Sequence, residues 1–574
     1  MKVNKKMVIK LLEQIAIYME LKAEGPFKVA AYRKAASALE FDNRSLEEIH
    51  ELTDIQGIGK GTAAIIMEYK ETGKSELLEQ LQDEVPKGLI PLLQIQGLGA
   101  KKIAKLHKEL GVVDVHTLTE VCLEGKVRAL KGFGEKTEEK ILASIEAYGK
   151  RPERFPIAYM KKHALALENQ LVHMEGIEQF SRAGSLRRYS ETMKDLDYVI
   201  STNDPSLVKK QLLQLNEAAE AIASGDTKVS ITISGEFDIS VDFRLVSPDE
   251  YATALHHFTG SKDHNVKMRQ LAKDRGEKIS EYGVEKLETG EVLTFHSEED
   301  FYNHFGLPFI PPEIRKDGRE VEEYKQGMEL VRLEDIQGDL HMHTTWSDGG
   351  HSLEEMVQAC RQKGYKYMAI TDHSQYLKVA NGLDAKRLLR QNEEIQRLNE
   401  KYDDILILSG IEMDILPDGS LDFDDEVLAQ LDIVIASIHS SFSQSQEKIM
   451  DRLKTAMDNP HVDIIAHPTG RLIGGRPGYQ ADMDTLIKWA KETNTALELN
   501  ASPSRLDLSA ENVRKAQENG VRIVINTDAH EIEQLQNMEY GIGTARRGWI
   551  EKKNVLNAMD QEGLISFLNR HHTE

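Results

Sequence analysis

Short apolar runs that end in histidine or aspartate recur through the C-terminal part of the chain. They are MAITDH (368–373), DIVIASIH (432–439), VDIIAH (462–467) and RIVINTDAH (522–530). Each run is short, largely β-branched and followed by polar residues, which predicts a buried strand that ends at a polar side chain. In a βα barrel the carboxyl ends of the strands are where functional sites form. The pattern therefore predicts a barrel-like region with a site at one end.

The middle of the chain shows a second strand pattern. Asp195-Leu-Asp197 leads into an apolar strand, and ISVDFRLV (239–246) alternates apolar and polar positions around Asp242. Because alternate residues of a strand face the same side, Asp195 and Asp197 are expected to point to one site. Three carboxylates that converge in one pocket hold two divalent cations for in-line phosphoryl displacement.

A glycine-serine turn precedes these aspartates. Gly184-Ser185 is followed by Arg187 and Arg188. We expect the turn to open a helix, where free backbone N–H groups suit a triphosphate. An Asp-x-Asp pair is weak evidence alone, but this turn before it and a later strand with an aspartate strengthen the prediction of nucleotidyl transfer.

Three loops in the N-terminal third share the pattern hydrophobic-x-Gly-hydrophobic-Gly between amphipathic, helix-forming stretches. Glycine permits a tight turn with close backbone approach, and the next helix offers free N–H groups to a phosphate. A purely structural helical hairpin is the alternative, but the three loops resemble the helix-hairpin-helix motif, a sequence-independent DNA-backbone binder, and this resemblance implies contact with DNA. The candidate DNA-binding residues are Gly57, Gly59, Lys60, Gly97, Gly99, Lys101, Gly132 and Gly134.

Nine candidate metal ligands lie mostly beside the apolar runs of the C-terminal part. Imidazole with carboxylate suits Zn²⁺, Mn²⁺ or Fe, and nine ligands exceed the needs of one ion. Scattered surface histidines are the alternative, but placement at strand ends argues against it. A site with two or three metals is typical of phosphoester hydrolysis. The ligands are His341, His343, Asp348, His373, Glu412, His439, His467, Asp528 and His530.

Composition narrows the class of protein. The 574 residues suit several domains, and no apolar run approaches the length of a membrane span. The N-terminus lacks the apolar core of a secretory signal, and Cys122 and Cys360 stand far apart, so we expect a cytoplasmic protein. The net charge is −23, yet residues 1–150 hold 23 basic and 23 acidic residues. DNA binding through local backbone contacts is compatible with this balance.

The C-terminal motifs resemble those of the PHP domain, a metal-dependent phosphoesterase family with a distorted seven-stranded βα barrel. The resemblance implies that the nine residues bind two or three Mn²⁺ or Zn²⁺ ions, and that Asp372 supports its neighbour His373. The motifs are HMHTTWSDG (341–349), TDHS (371–374), GIEMD (410–414), SIHSS (437–441), AHPTG (466–470) and NTDAH (526–530).

The first half resembles the family X DNA polymerases, which are similar to DNA polymerase beta. The resemblance rests on AGSLRRYSETMKDLDYVI (183–200), HHFTGSKDHNVKMR (256–269) and ISEYGV (279–284). It implies that three aspartates bind Mg²⁺ or Mn²⁺ and that the third also activates the primer 3′-hydroxyl. The implied residues are Asp195, Asp197 and Asp242 for metal and catalysis, Gly184, Ser185 and Arg188 for the triphosphate, Phe258 and Gly260 for the sugar, Asn265 for the base edge, and Arg269 for the template side.

Together the two halves resemble the bacterial family X polymerases that carry a C-terminal PHP domain. The resemblance implies a multidomain fold: an all-α helix-hairpin-helix region, an α+β nucleotidyltransferase palm with a thumb, and a distorted (βα)7 PHP barrel. The expected boundaries are 1–84 for the helical domain, 85–150 for the fingers, 151–246 for the palm, 247–312 for the thumb, 313–337 for a charged linker and 338–574 for the PHP domain.

The resemblance implies a monomeric DNA polymerase that fills short gaps during repair, with gapped or primer-template DNA and dNTPs as partners and no membrane. The PHP domain is expected to be a 3′-5′ exonuclease, with abasic-site incision in the same pocket. Alternatively, it acts on pyrophosphate or a small phosphate ester. A non-catalytic binding module is the third hypothesis, which the complete ligand sets disfavour.

One departure from the family concerns the first helical hairpin. Beta-like enzymes carry a Schiff-base lysine six residues after the second glycine of this hairpin, and the position here is Ile65. Because isoleucine cannot form an imine, we expect a lyase of that type to be absent or carried by another residue such as Lys60.

Overall fold

The computed structural model describes residues 5–41, 51–93, 98–148, 152–215, 218–225, 227–235 and 237–570, together with positions 3, 46, 49 and 95. The chain divides into two compact units, Met1–Pro152 and Glu153–Glu574. Among the helices of these described ranges, none has both the length and the apolar composition needed to cross a membrane.

The first unit is built from amphipathic helices. α1 packs its buried residues Leu12 and Ile15 towards α2 and α4. α3 and α6 end at Gly73 and Gly111, both in the left-handed conformation that glycine adopts readily. The helices are α1 (Lys5–Leu21), α2 (Pro26–Phe41), α3 (Lys60–Thr72), α4 (Glu76–Glu84), α5 (Leu89–Leu92), α6 (Ala100–Leu110), α7 (Val115–Leu123) and α8 (Glu135–Tyr148).

The second unit begins with a five-stranded sheet, the palm sheet, in the order β2-β4-β7-β6-β5. β4 and β7 are parallel and the other neighbours antiparallel. One face of the sheet packs on α9, through residues such as Tyr198 and Leu167. The elements are β1 (Phe155–Pro156), α9 (Ile157–Leu171), β2 (Gln179–Arg182), α10 (Gly184–Arg187), β3 (Thr192–Met193), β4 (Asp195–Ser201), α11 (Pro205–Leu212), β5 (Ala218–Ser224), β6 (Lys228–Ile233) and β7 (Ile239–Val246).

A smaller helical region with a three-stranded antiparallel sheet, β10-β9-β8, follows. Its first helix packs Ala254 and Leu255 against Val199 on the other face of the palm sheet. The elements are α12 (Tyr251–Thr259), α13 (Lys262–Asp274), β8 (Glu277–Ser280), β9 (Gly283–Lys286), β10 (Val292–Leu293), α14 (Glu298–His304) and α15 (Glu320–Glu323).

The segment 313–337, expected as a charged linker, is packed against its surroundings. Arg315 is fully buried and pairs with Glu298 at 2.5 Å, while its Nε donates to the carbonyl of Ile310. Glu320 is also fully buried and lies 2.6 Å from Nδ1 of His264. The prediction of a charged linker did not anticipate these contacts, because paired charges can be buried and their pattern in sequence resembles that of a solvated stretch.

A seven-stranded parallel sheet forms the C-terminal barrel, with its strands in chain order from β11 to β17. A parallel bridge between Met342 and Ala529 brings its two edges together, so the barrel is nearly closed. The elements are β11 (Gly338–Asp339), α16 (Leu353–Gln362), β12 (Tyr367–Ile370), α17 (Ala385–Lys401), β13 (Leu406–Asp414), α18 (Asp425–Leu428), β14 (Ile433–Ser437), α19 (Gln446–Asp458), β15 (Ile464–Ile465), α20 (Met483–Thr493), β16 (Ala496–Asn500), α21 (Ala510–Glu518), β17 (Ile523–Asn526), α22 (Met538–Arg547) and α23 (Gln561–Leu568).

The barrel strands contribute to two apolar clusters, one on each face. Residues such as Met368 and Val434 belong to the large core that also contains residues of the surrounding helices. The alternate residues Tyr367 and Ile433 belong to a second cluster with Phe567 of α23. The barrel strands therefore have apolar residues on both faces, and polar residues concentrate at and beyond their carboxyl ends.

Candidate active sites

The palm sheet places the three predicted carboxylates on neighbouring strands. Asp195 begins β4, and Asp197 lies directly opposite Asp242 of β7 in the parallel register. Leu196 between the two aspartates is fully buried, so the aspartates lie on the opposite, more accessible face. The three carboxylates thus share one face of the sheet, on two neighbouring interior strands.

The turn before β4 requires glycine. Gly184 has a φ of +54°, and a Cβ added there would lie 2.0 Å from Oδ2 of Asp197. The backbone of α10 therefore approaches the carboxylates closely. Within this turn, Nη2 of Arg188 donates to Oγ of Ser185 at 3.2 Å, and Nη1 donates to the carbonyl of Thr259 at 2.6 Å.

Electrostatic crowding at the palm carboxylates favours a cation. Burial, together with Asp195 and Asp242, raises the pKa of Asp197 to about 7. Burial and Asp242 also raise the pKa of Asp195. Mutually repelling carboxylates of this kind fit divalent cations, which would neutralise them.

Two further residues contact the third carboxylate. Nζ of Lys228 lies 2.6 Å from Oδ2 of Asp242, and Oγ of Ser230 donates to Oδ1 at 2.6 Å. Both residues lie on β6, beside β7. Sequence analysis did not single them out, because the sheet order that brings β6 beside β7 was not known; the polar positions in KVSITI were the available sign.

The residues expected around the nucleotide lie at the end of α12 and on α13. A Cβ at Gly260 would lie 2.6 Å from Oδ1 of Asn265, and Nδ2 of Asn265 donates to the carbonyl of His257 at 2.7 Å. The guanidinium of Arg244, two residues after Asp242, lies 4.6 Å from the ring centre of Phe258. Arg269 is half-buried further along α13, and burial lowers its pKa. These contacts bring the α12 terminus to the strand that carries Asp242.

The three predicted hairpins of the first unit have the same local geometry. In each, the hydrophobic residue between the glycines donates its N–H to a carbonyl three residues earlier, and its side chain is buried. The bonds are Ile58 to Ile55, Leu98 to Ile95 and Phe133 to Leu130. The buried residue anchors each turn, and the following helix begins beside the second glycine.

The hairpin glycines and lysines are placed for access. Gly57 and Gly132 have φ values of +119° and +92°. Gly59 and Gly99 precede the first residues of α3 and α6, and Gly134 precedes α8. Lys60 and Lys101 are exposed in the first turns of α3 and α6. Gly97 lies outside the described residues.

The nine predicted ligands of the barrel meet at the carboxyl ends of its strands. Eight fall into three overlapping groups whose ligand atoms lie within 4.8 Å of one another: His343, Asp348, His373 and His530; His341, His343, Glu412 and Asp528; and His373, Glu412 and His439. The ninth, His467, places Nε2 at 2.9 Å from Oε1 of Glu412. His343, His373 and Glu412 each belong to two of these groups, so the groups form one continuous cluster that could hold more than one cation.

Buried atoms without hydrogen bonds support metal binding. Nε2 of His341 and Oε2 of Glu412 are buried and lie 3.4 Å apart, but neither makes a hydrogen bond. Such atoms are costly to bury unless a ligand satisfies them. A set of imidazole and carboxylate groups fits Mn²⁺ or Zn²⁺.

The charges of the barrel site are strongly coupled. Burial opposes the charge on Glu412, but His439, His341 and His373 hold its pKa well below the usual range. Burial and the neighbouring His373 and His530 lower the pKa of His343 to about 3. His343 is therefore neutral at pH 7, the state in which imidazole binds a metal.

Buried carboxylates behind the ligands orient them. Oε1 of Glu498 lies 2.7 Å from Nδ1 of His341, and its Oε2 accepts the N–H of His467 at 2.8 Å. Oδ1 of Asp414 lies 3.2 Å from Nδ1 of His439. Sequence analysis missed both residues, although Asp414 stands two positions after Glu412 in the GIEMD motif; Glu498 lies on β16, which no motif marked. Such contacts fix which imidazole nitrogen faces the metal.

Asp372 supports a loop. It is fully buried and accepts hydrogen bonds from Thr344, Ser347 and Gln391. Ser347 directly precedes the ligand Asp348. Asp372 therefore holds the loop that carries Asp348, whereas the sequence suggested support of its neighbour His373.

Three arginines lie past the ends of the barrel strands. Nε of Arg505 lies 3.5 Å from Oδ2 of Asp528, one of the predicted ligands. Arg476 stacks on Phe442 at 4.0 Å. Arg471 instead pairs with Glu191 of the palm region at 2.7 Å. Arg505 therefore faces the metal site directly.

Models of four protein families match the chain. They are a helix-hairpin-helix domain at residues 3–75, a SAM-like helix-hairpin-helix tandem at 89–147, the DNA polymerase beta thumb at 254–316 and the PHP domain at 339–502. The matches follow the order expected from the sequence motifs.

Curated proteins similar to the chain fall into two groups. A protein of Bacillus subtilis (strain 168) named DNA polymerase/3′-5′ exonuclease PolX is 61% identical over 567 residues, which cover 99% of this chain and 100% of that protein. A probable phosphatase of Thermoanaerobacter sp. (strain X514) is 32% identical over 232 residues, 38% of this chain and 89% of that protein. A probable phosphatase of Clostridium acetobutylicum is 30% identical over 203 residues, 33% of this chain and 78% of that protein.

Proposed function

Because the chain belongs to the PolX family of DNA polymerase/3′-5′ exonucleases, we propose that it fills short gaps in DNA during repair and trims 3′ ends at a separate site. The protein is a family X DNA polymerase with a PHP exonuclease, it depends on divalent metal, and it binds DNA and dNTPs. The observation that carries the proposal for the polymerase site is the opposition of Asp197 and Asp242 across parallel strands beside the Gly184 turn.

We assign the domains as the sequence suggested, with one revision. The helical domain is 1–84, the fingers 85–150, the palm 151–246, the thumb 247–312 and the PHP domain 338–574. We assign the segment 313–337 to the second compact unit as a packed connection and not as a free linker, because Arg315 and Glu320 are buried in ion pairs. We expect a monomer.

In the palm, each residue has a distinct role in nucleotide transfer. Asp195, Asp197 and Asp242 would hold the cations, and Asp242 also accepts the proton of the primer 3′-hydroxyl. Ser185 and Arg188, with the backbone of Gly184, hold the triphosphate. Phe258, Gly260 and Asn265 line the sugar and base, and Arg269 faces the template.

In the barrel, the same logic serves hydrolysis. The nine predicted ligands would hold two or three cations, and Arg505 is placed to contact the phosphate of the bond to be cleaved. When bound, Mg²⁺ or Mn²⁺ in the palm and Mn²⁺ or Zn²⁺ in the barrel would neutralise phosphate charge and, in the barrel, lower the pKa of the attacking water. Glu498 and Asp414 keep the imidazoles oriented throughout. Abasic-site incision belongs to the same pocket.

The hairpins hold the DNA backbone without selecting sequence. The glycine turns let the chain approach the phosphates, and the first N–H groups of α3, α6 and α8 donate to them. Lys60 and Lys101 add charge. Affinity in this arrangement falls steeply with salt.

A second candidate activity for the PHP domain is hydrolysis of pyrophosphate or another small phosphate ester. The observation that favours it is the match to proteins named probable phosphatase, over 38% and 33% of this chain. Release of dNMP from single-stranded DNA, compared with phosphate from pyrophosphate, separates the two activities.

The test uses a 5′-labelled primer on gapped DNA with Mn²⁺, with and without dNTPs. Wild type is compared with Asp195→Ala/Asp197→Ala and with His341→Ala/His343→Ala. We expect extension to be lost only in the first variant and 3′ shortening only in the second. Full extension by the aspartate variant would refute the palm assignment. Shortening by the histidine variant would show that the barrel acts on another substrate.

A further inference from the structure

The turn that follows Arg188 is seated on the PHP barrel. Tyr189 has a φ of +50°, a left-handed conformation that is uncommon for a bulky residue. Its ring lies on Gly543 of α22, where an added Cβ would come within 2.1 Å of Cδ1 of the ring. Only glycine at this position leaves room for the ring, so the barrel helix and the palm turn fit closely.

Polar contacts hold the same turn. The hydroxyl of Tyr189 donates to Oε1 of Glu539 at 2.6 Å, and Lys161 of α9 pairs with the other oxygen of that carboxylate. Nη1 of Arg547 donates to the carbonyl of Tyr189 at 2.8 Å. Glu539, Gly543 and Arg547 are spaced four residues apart, so they form one face of α22.

The seated turn is continuous with the triphosphate residues. The N–H of Tyr189 donates to the carbonyl of Leu186 at 3.0 Å, and that of Ser190 to the carbonyl of Ser185 at 3.0 Å. The guanidinium of Arg188 in turn bonds to Ser185. A shift of the backbone at Tyr189 therefore moves both Ser185 and Arg188. A nearby salt bridge between Glu191 and Arg471 joins the same palm segment to the barrel.

We propose that this face of α22 is a positioning part of the polymerase site. It fixes the backbone at Tyr189, and thereby keeps Ser185 and Arg188 oriented for the incoming triphosphate. The inference rests on the proposed role of Ser185 and Arg188. It gives the exonuclease domain a structural part in nucleotide affinity that is independent of hydrolysis.

The test measures KM for dNTP and kcat on gapped DNA with full-length Gly543→Ala. Displacement of the Tyr189 ring is expected to raise KM about tenfold or more, with a smaller change in kcat, because misplacement of a binding group weakens substrate positioning. Exonuclease activity is expected to stay near wild type, since the three atoms nearest to the added Cβ all belong to Tyr189.

The matched control is Gly541→Ala on the same helix. A Cβ there would clash with Ala501 and Ile525 inside the barrel at 2.6 Å, away from Tyr189. This variant is expected to lose stability but to keep the wild-type KM for dNTP. An unchanged KM in Gly543→Ala, or an equal rise in Gly541→Ala, would overturn the proposal.

Two more variants keep the result decisive. Glu539→Gln preserves the size of the side chain but weakens its bonds to Tyr189 and Lys161, and a rise in KM of about fivefold is expected. If Gly543→Ala does not fold, Glu539→Gln provides the test instead. A wild-type KM for dNTP in Glu539→Gln would then overturn the proposal. Arg188→Ala tests the role of Arg188 in binding the triphosphate. A wild-type KM for dNTP in this variant refutes that role. A raised KM in Arg188→Ala, together with wild-type KM values in Gly543→Ala and Glu539→Gln, refutes only the role of α22.

Discussion

Oε1 of Glu498 lies 2.7 Å from Nδ1 of His341, and both side chains are fully buried in the barrel. The carboxylate fixes the imidazole so that Nε2 faces the other ligands. Because buried partners of metal-binding histidines tune metal affinity, Glu498→Gln is expected to weaken Mn²⁺ binding about 10–100-fold. Calorimetric titration with Mn²⁺ measures this, and exonuclease activity should fall in parallel.

The control for that prediction is Glu492→Gln, an exposed glutamate of α20. It should bind Mn²⁺ as wild type does, and primer extension should survive in both variants. Wild-type Mn²⁺ affinity in Glu498→Gln would contradict the assigned role.

Gly184→Ala is expected to abolish nucleotide incorporation while 3′ shortening continues. The added Cβ would lie 2.0 Å from Oδ2 of Asp197, and the φ of +54° is itself unfavourable for alanine. We expect a loss of about 100-fold or more in extension, because the displaced carboxylate is one of three that meet at the site. Gly276→Ala is the control: its φ is +72° but its Cβ meets open space. Equal loss in both variants would mean that backbone strain alone is responsible.

The raised pKa of Asp197 predicts a pH-dependent stability of the metal-free protein. A carboxyl whose pKa rises from 3.8 to about 7 on folding stabilises the fold at low pH, and this contribution is lost as pH rises between those values. In EDTA at pH 8, Asp197→Asn is therefore expected to have a higher melting temperature than wild type. Its free energy of unfolding should be larger by an amount on the order of a few kcal/mol. The difference should shrink at pH 5.

Thermal melts of both proteins across this pH range, with and without Mg²⁺, measure the effect. Mg²⁺ should raise the melting temperature of wild type more than that of Asp197→Asn at pH 8. A difference in melting temperature that does not vary with pH would contradict the assignment of the raised pKa to Asp197.

Lys60→Gln and Lys101→Gln are expected to weaken DNA binding equally for all sequences. Each lysine is exposed in the first turn after a hairpin, the position proposed for contact with a backbone phosphate. Loss of one phosphate contact lowers the slope of log affinity against log salt by about 0.9. Fluorescence anisotropy at several salt concentrations gives the slope. Lys74→Gln, an exposed lysine beyond the end of α3, is the control and should leave the slope unchanged.

No lyase adduct is expected at the first hairpin. Ile65 stands where beta-like enzymes have a Schiff-base lysine, and its side chain packs partly buried against the apolar cluster of α1 and α4. Borohydride trapping on DNA with a 5′-deoxyribose phosphate should therefore give little covalent product. A strong covalent adduct would contradict this prediction. Loss of that adduct in Lys60→Gln would show that Lys60 forms the Schiff base in place of the missing lysine.

Local patterns in the sequence determined much of this protein. Runs such as VDIIAH ending at His467 marked the strand ends of the barrel, because an apolar strand and its terminal polar residue are adjacent in the chain. Likewise the spacing of Asp195 and Asp197 placed both carboxylates on one face of a strand. The hairpin glycines were recognisable because a tight turn demands them locally.

Tertiary structure decided the relationships between distant segments. The sheet order brought Lys228 beside Asp242, and the barrel brought Glu498 beneath His341. Arg315 and Glu320 of a charged stretch are buried because each pairs with a residue of another element, Glu298 of α14 and His264 of α13. The seat of Tyr189 on Gly543 joins residues more than 350 positions apart. Such contacts depend on how whole elements pack. Hydrophobic periodicity along the chain predicts helices and strands, but it does not predict which distant side chains will be in contact.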